Sequence, residues 1–236
     1  MGLEKWMGAL HERNFRLYFL GQLTSAIGTG MTPVALSFAV LALRHGSASD
    51  VGTVLAAQTV PLVVFLLVGG VAGDRFGRRR VMLGADVLRA SAETALGAWI
   101  LFGHPPLWGF LLLPALVGTG TAFFMPSLTG LIPQIVPSDR LTQANALNGL
   151  TFSIGAIIGP SVAGVIVATA NPGWAILADA VSYVLSICSL AALRLGPVTE
   201  ASSARSTTSC DVGGTSSGRE IGSGQLSWWR RSPTWP

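Results

Sequence analysis

Six long apolar stretches, joined by short connections, constrain this sequence more than anything else in it. They run roughly over 17–43, 51–72, 81–102, 108–126, 146–170 and 174–193. A helix that crosses a bilayer needs about 20 mostly apolar residues, and each run approaches or exceeds that length. The strands of a membrane barrel would be short and alternating, whereas these runs are unbroken. Only 11% of the residues are charged and the mean hydropathy is +0.56, against about 25% charged residues in a soluble domain. A water-soluble fold is therefore excluded. The 29 glycines suit packed membrane helices, in which small residues let backbones approach. The expected fold class is an all-α membrane protein with six transmembrane helices over 17–195, preceded by a cytoplasmic segment at 1–16.

Placement of the basic residues sets the orientation. If the amino terminus is cytoplasmic, 13 of the 15 lysines and arginines fall on the inner side, with Arg44 outside and Arg89 within a span. Such a bias is the positive-inside pattern. It predicts a multi-pass protein of the cell membrane with both termini cytoplasmic, and it explains the net charge of +4 without a nucleic-acid partner. Trp99, Trp108 and Trp174 fall near the outer face and Trp6 near the inner one, as an interfacial belt requires. From 196 onward the chain changes character: 20 of 41 residues are Ser, Thr or Gly. A segment of that composition cannot bury enough apolar surface to offset its ordering entropy, so it reads as a disordered cytoplasmic tail. Cys188 and Cys210 form no disulfide framework or metal cluster. His11, His45 and His104 are far apart in the sequence, and no segment gathers a nucleophile, a base and an orienting group. An enzyme is disfavoured, and neither a metal nor an organic cofactor is expected.

The connection between the second and third runs reads Gly70-Val-Ala-Gly-Asp74-Arg75-Phe-Gly77-Arg78-Arg79-Arg80. An inward-facing loop accounts for the arginines. It does not account for a carboxylate flanked by glycines in so short a turn, where Gly77 permits a tight backbone and Asp74 can pair with arginine or cap a helix. The fifth run contains Gly155-Ala-Ile-Ile-Gly159-Pro160-Ser-Val-Ala163-Gly164, which on its own is also what close packing around a proline kink would produce.

In sequence and position, Gly70, Asp74, Arg75, Gly77, Arg78 and Arg79 resemble the signature loop of the major facilitator superfamily, G-x-x-x-D-R-x-G-R-R between helices two and three. The fifth run is similar to that superfamily's exporter motif, G-x-x-x-G-P-x-x-G-G, with Ala163 in place of one glycine. Asn14 to Gln22, Phe123 to Pro133, Ala144 to Leu147 and Asp179 to Tyr183 extend the likeness toward the enterobactin-exporter and macrolide-efflux branch, over about 14–195. The resemblance implies half of a major facilitator fold, built from two inverted three-helix repeats. It implies efflux of a small molecule such as a drug, macrolide or siderophore by alternating access, with the proton gradient as energy source. It also implies that the loop latches two six-helix halves together. Gly28-Thr-Gly30-Met-Thr-Pro33 and Gly118-Thr-Gly120 with Met125-Pro126 offer a faint internal echo of the repeat.

Asp86, Arg89 and Glu93 lie within the third run. A single charge at mid-membrane costs about 2.5–3.5 kcal/mol, so three must face the protein interior, and spacings of three, four and seven put them on one helical face. Asp86 and Arg89 read as a structural pair near the cytoplasmic mouth. Glu93, about 20 Å beyond Arg80 at about 1.5 Å per residue, sits near the midplane. There it suits a proton carrier, or else a neutral acid bonded to Gln22 or Gln58. Asp179 reads as an interfacial anchor or a pathway residue. The first run has no carboxylate, and Thr29 is the candidate for the position that carries one in some related exporters. Pro33, Pro61, Pro114, Pro126 and Pro160 kink their spans.

Transporters of this superfamily have twelve spans, so a second six-helix body is implied: another copy of this chain or a separately encoded half. The lipid bilayer and a small-molecule substrate complete the expected partners. The competing expectations are a truncated remnant that inserts without transporting, and a membrane sensor or assembly protein.

Overall fold

The computed structural model describes residues 12–43, 46–103 and 105–193. The expected tail at 196–236, Arg44, Trp6 and all three histidines lie outside the described residues. Six α-helices account for nearly all of the rest: α1 Arg13–Leu41, α2 Ala48–Phe76, α3 Arg78–Phe102, α4 Leu107–Ile135, α5 Leu141–Thr169 and α6 Pro172–Ala192. Helix is the form that satisfies every backbone group within its own segment, which lipid demands. Four of the six have 29 residues, about 44 Å at about 1.5 Å per residue and more than the roughly 30 Å hydrocarbon layer. Five helices are long and apolar enough to cross a membrane. The exception is α3, which begins on three arginines and carries Asp86, Arg89 and Glu93. All three of the latter are buried, so its charge faces its neighbours and not the outside of the bundle.

Local signals set the helix ends. Ser47 and Asp50 form a reciprocal capping box at the start of α2, satisfying two otherwise orphaned N–H groups. Asn171 accepts from the Gly173 N–H at 2.8 Å, and Pro172 follows in the first turn of α6, where a missing N–H costs nothing.

Two connections differ from expectation. The eight-residue turn expected at 73–80 contracts to Gly77 alone: α2 continues to Phe76 and α3 starts at Arg78. Gly77 makes the reversal with φ +88° and ψ 124°, a conformation closed to other residues except at a cost. The long loop expected at 127–145 is also mostly helix. α4 runs through Pro126 and Pro133 to Ile135, and a single 3-10 turn, Ser138–Arg140, precedes α5. Leu128, Leu131, Ile132 and Ile135 repeat at helical spacing and are buried, so packing holds the helix past both prolines.

In the bundle, α2 packs on α4, α4 on α3, α3 on α6, α6 on α1 and α1 on α5. Exchanging α1 with α4, α2 with α5 and α3 with α6 returns the same order read backwards. Because each triplet has an odd number of helices, the second enters from the opposite end, so the two are inverted repeats. The Gly-Thr-Gly echo does not follow this symmetry. Space at Gly28 is limited by α6, through Asp179 and Ser182, whereas space at Gly118 is limited by α2.

Two apolar clusters fill the ends of the bundle. One gathers Phe15, Tyr18, Met82, Leu128, Leu131 and Leu190; the other gathers Leu36, Val40, Val54, Leu96, Phe110 and Ile176. Between them lies a buried polar layer.

Candidate transport site

The polar layer is built by α1, α3 and α6. Three carboxyls and one guanidinium are buried in it: Asp86, Glu93, Asp179 and Arg89, each no more than 4% exposed. Asp86 is held on both sides, by an ion pair with Arg89 Nη2 and by the Ser186 hydroxyl, which donates to Oδ2 at 2.7 Å. The Arg89 guanidinium lies between two aromatic rings, 4.1 Å from the Phe124 centroid and 4.4 Å from that of Tyr183. Rings offer a desolvated cation the attraction of their faces. The Tyr183 hydroxyl in turn shares a 3.0 Å hydrogen bond with Thr29.

Glu93 does not meet Gln22 or Gln58 through a hydrogen bond. Its partner is Thr32, whose hydroxyl lies 3.3 Å from Glu93 Oε1 and 2.6 Å from Asp179 Oδ2. Asp179 also accepts from Ser182 at 2.9 Å. A hydroxyl has one proton to donate, and the shorter contact takes it to Asp179. The other Glu93 oxygen, Oε2, is buried with no hydrogen-bond partner. Asp179 is thus buried in the bundle interior, joined to Glu93 through Thr32 and also directly, carboxyl to carboxyl.

Sequence reasoning missed Thr32, Ser182 and Ser186 as members of the layer, and missed the reason for two glycines. A Cβ at Gly28 would collide with Asp179 and Ser182, and one at Gly120 would sit 2.7 Å from Arg89 Cγ. Each glycine opens room for a charged side chain on the neighbouring helix. The available signal was helical spacing: Asp179, Ser182 and Ser186 stand three and seven apart, on one face.

A cleft of about 210 Å³ opens beside this layer between α1, α4 and α5. Gln22, Ser25 and Thr29 line it from α1, Thr121 and Phe124 from α4, and Phe152 from α5; Arg89 also contributes to its wall.

Both sequence motifs map onto helix packing. Asp74 pairs with Arg78 at 2.7 Å and is largely exposed. Arg79 Nε and Nη2 donate to the carbonyls of Leu190 and Ala191 at 2.8 and 2.6 Å, which places a cation at the negative end of α6. Arg75 is exposed, its guanidinium 5.7 Å from the Phe76 ring. Gly70 is not at a close contact; its neighbours Gly69 and Gly73 face α4, against Ala122 and Ser127. In the fifth helix, Gly155 and Gly159 meet the α1 backbone at Ala26, Ile27 and Gly30. Pro160 is half-buried and Gly164 faces open space. The α1–α5 crossing is therefore backbone against backbone, and the motif's last glycine takes no part in it.

Comparison with known proteins agrees with this architecture. Residues 6–207 match the transmembrane secretion effector family, MFS_3. The multidrug efflux pump Tap of Mycolicibacterium fortuitum is 32% identical over 185 residues, covering 76% of this chain and 45% of that protein. Macrolide efflux protein A of Streptococcus pyogenes is 28% identical over 181 residues, covering 77% of this chain and 44% of the relative. The MFS-type transporter YkuC of Bacillus subtilis is 28% identical over 180 residues, covering 76% and 41%. The chain thus spans about half the length of the curated relatives it matches. With six helices in two inverted triplets and a match over most of its length, this multi-pass membrane protein belongs to the transmembrane secretion effector family of the major facilitator superfamily, a family of transporters and not of enzymes.

Proposed function

We propose that the chain forms the amino-terminal six-helix half of a proton-coupled exporter. It moves an apolar small molecule of the drug, macrolide or siderophore kind by alternating access against a second six-helix body. The observation that carries this reading is the buried layer of three carboxyls and one guanidinium beside a cleft at mid-bundle. Fully ionised, that layer holds two uncompensated negative charges. Desolvation makes such a state costly, and binding protons relieves it. Glu93, with one oxygen unpartnered and the other against the Thr32 hydroxyl, is the residue assigned to carry the proton, with Asp179 as its neighbour. The Asp86–Arg89 pair holds the layer together.

Arg13, Arg16, Arg75, Arg78, Arg79, Arg80 and Arg140 belong to the same end of the bundle, at the starts of α1, α3 and α5 and the end of α2. The positive-inside rule supports a cytoplasmic position for that end, and with it a cytoplasmic amino terminus. The Asp74–Arg78 turn and the Gly159–Pro160 segment would then contact the second body, a further copy of this chain or a separate polypeptide. That two relatives are a multidrug efflux pump and a macrolide efflux protein supports the outward direction.

The test is flux into or out of proteoliposomes that hold the chain, with erythromycin as probe. A pH gradient drives accumulation, a protonophore abolishes it, and Glu93→Gln leaves binding but removes the response to the gradient. Absence of flux at every gradient imposed refutes transport by this chain.

A further inference from the structure

We propose that the cleft between α1, α4 and α5 is a subsite for an uncharged hydrogen-bond acceptor, a carbonyl-type oxygen on an apolar body, which docks on the Nε–H of Arg89. This deepens the transport reading above and rests on it for its biological meaning. Three observations support it. Arg89 lines the cleft, is 4% exposed, and its Nε–H has no hydrogen-bond partner. A buried donor left unpaired loses the full cost of its desolvation, and a ligand oxygen restores it. Gln22 and Ser25 line the same cleft, are 6% and 2% exposed, and engage in no side-chain hydrogen bond among the described residues. They add neutral donors and acceptors without charge.

The charge pattern selects a neutral ligand over either ion. Among the described residues that line the cleft there is no carboxylate, so a cationic head would give up its hydration without a counter-ion to receive it. An anionic head would meet a guanidinium already neutralised by Asp86, in a layer where Glu93 and Asp179 add further acid. A carbonyl needs one N–H and disturbs neither balance. The walls suit the apolar body, since their exposed surface is mainly apolar and includes Ala26, Phe124, Met125, Phe152 and Ala156. At about 210 Å³ the cleft is smaller than the roughly 300–1,000 Å³ of a complete ligand pocket, so it holds one end of a larger molecule.

The experiment uses the full chain with ¹⁵N-arginine in lipid nanodiscs, the Arg89 Nε–H resonance being assigned by its loss in the Asp86→Asn/Arg89→Gln double variant, which removes both charges and orphans neither. Methyl 1-naphthoate is expected to shift that resonance saturably. 1-Ethylnaphthalene, the same body without an acceptor, and 1-naphthylmethylammonium are expected to bind about tenfold or more weakly, the difference one hydrogen bond to a charged group makes. Ala156→Trp fills the cleft from α5 and abolishes the shift. The proposal is overturned if the ester gives no saturable shift, if ethylnaphthalene matches it, if the ammonium or 1-naphthoate binds more tightly, or if Ala156→Trp leaves the shift intact. The readout needs no flux, so failure of transport in proteoliposomes and failure of this subsite are separate results.

Discussion

The sharpest consequence of the packing concerns two glycines five positions apart in α5. Gly159→Ala adds a methyl carbon that would lie 2.6 Å from the Gly30 Cα and 2.7 Å from the Ile27 carbonyl oxygen. Both are backbone atoms of α1, so no side chain can turn away and the two helices must separate. Forcing an extra carbon into a packed contact costs about 1–3 kcal/mol. Against it stands alanine's better helix propensity, worth about 0.8–1.0 kcal/mol over glycine. Gly164→Ala gains the same propensity and meets nothing within 4 Å. The difference between the two variants therefore isolates the steric cost, and should be about 1–3 kcal/mol with Gly159→Ala the less stable. Equilibrium unfolding of the purified chain in mixed micelles, titrated with SDS and followed by tryptophan fluorescence, measures it. Equal stability of the two variants, or a more damaging Gly164→Ala, refutes the claim that the α1–α5 crossing is closed backbone to backbone.

Other outcomes follow from the same geometry. Breaking the buried Asp86–Arg89 pair from one side, by Asp86→Asn or Arg89→Gln, should cost about 3–5 kcal/mol, and the double variant should recover part of it in the same titration. Arg79→Gln should speed hydrogen exchange at the last turn of α6, because the cation that bonds the Leu190 and Ala191 carbonyls is gone; Arg75→Gln, with no such bond, should not. At Gly77, alanine and asparagine should destabilise alike, by about 1–3 kcal/mol. Asparagine tolerates the left-handed helical region, but ψ 124° lies outside it. A clear rescue by asparagine in thermal unfolding would contradict the described turn. Thr32→Val should impair gradient-driven flux in proteoliposomes as Glu93→Gln does, since the hydroxyl joins the two acids; flux unchanged from the parent chain would detach Thr32 from the proton path.

Membrane insertion, helix count and the inward direction of α3 were all readable from residue order. They follow from local arithmetic: run length against bilayer thickness, and the cost of a charge in lipid. Asp86, Arg89 and Glu93 had to share a face because their spacing leaves no alternative. Helix ends were less legible where proline intervened. Pro126 and Pro133 look like terminators in isolation, and only burial of Leu128, Leu131 and Ile135 carries α4 past them.

Partnership across helices could not be read at all. That Asp179 in α6 meets Glu93 in α3 beside a threonine of α1 depends on how three helices rotate and cross, and those angles come from packing between segments as much as 154 positions apart. The roles of the glycines divide in the same way. Their abundance announced close helix contacts, but which of them touch was settled only by the bundle. Gly155 and Gly159 lie against α1, Gly28 and Gly120 make room for Asp179 and Arg89, and Gly164 faces empty space. Composition and periodicity act along one helix. A site made from side chains of several helices exists only once those helices have found their neighbours.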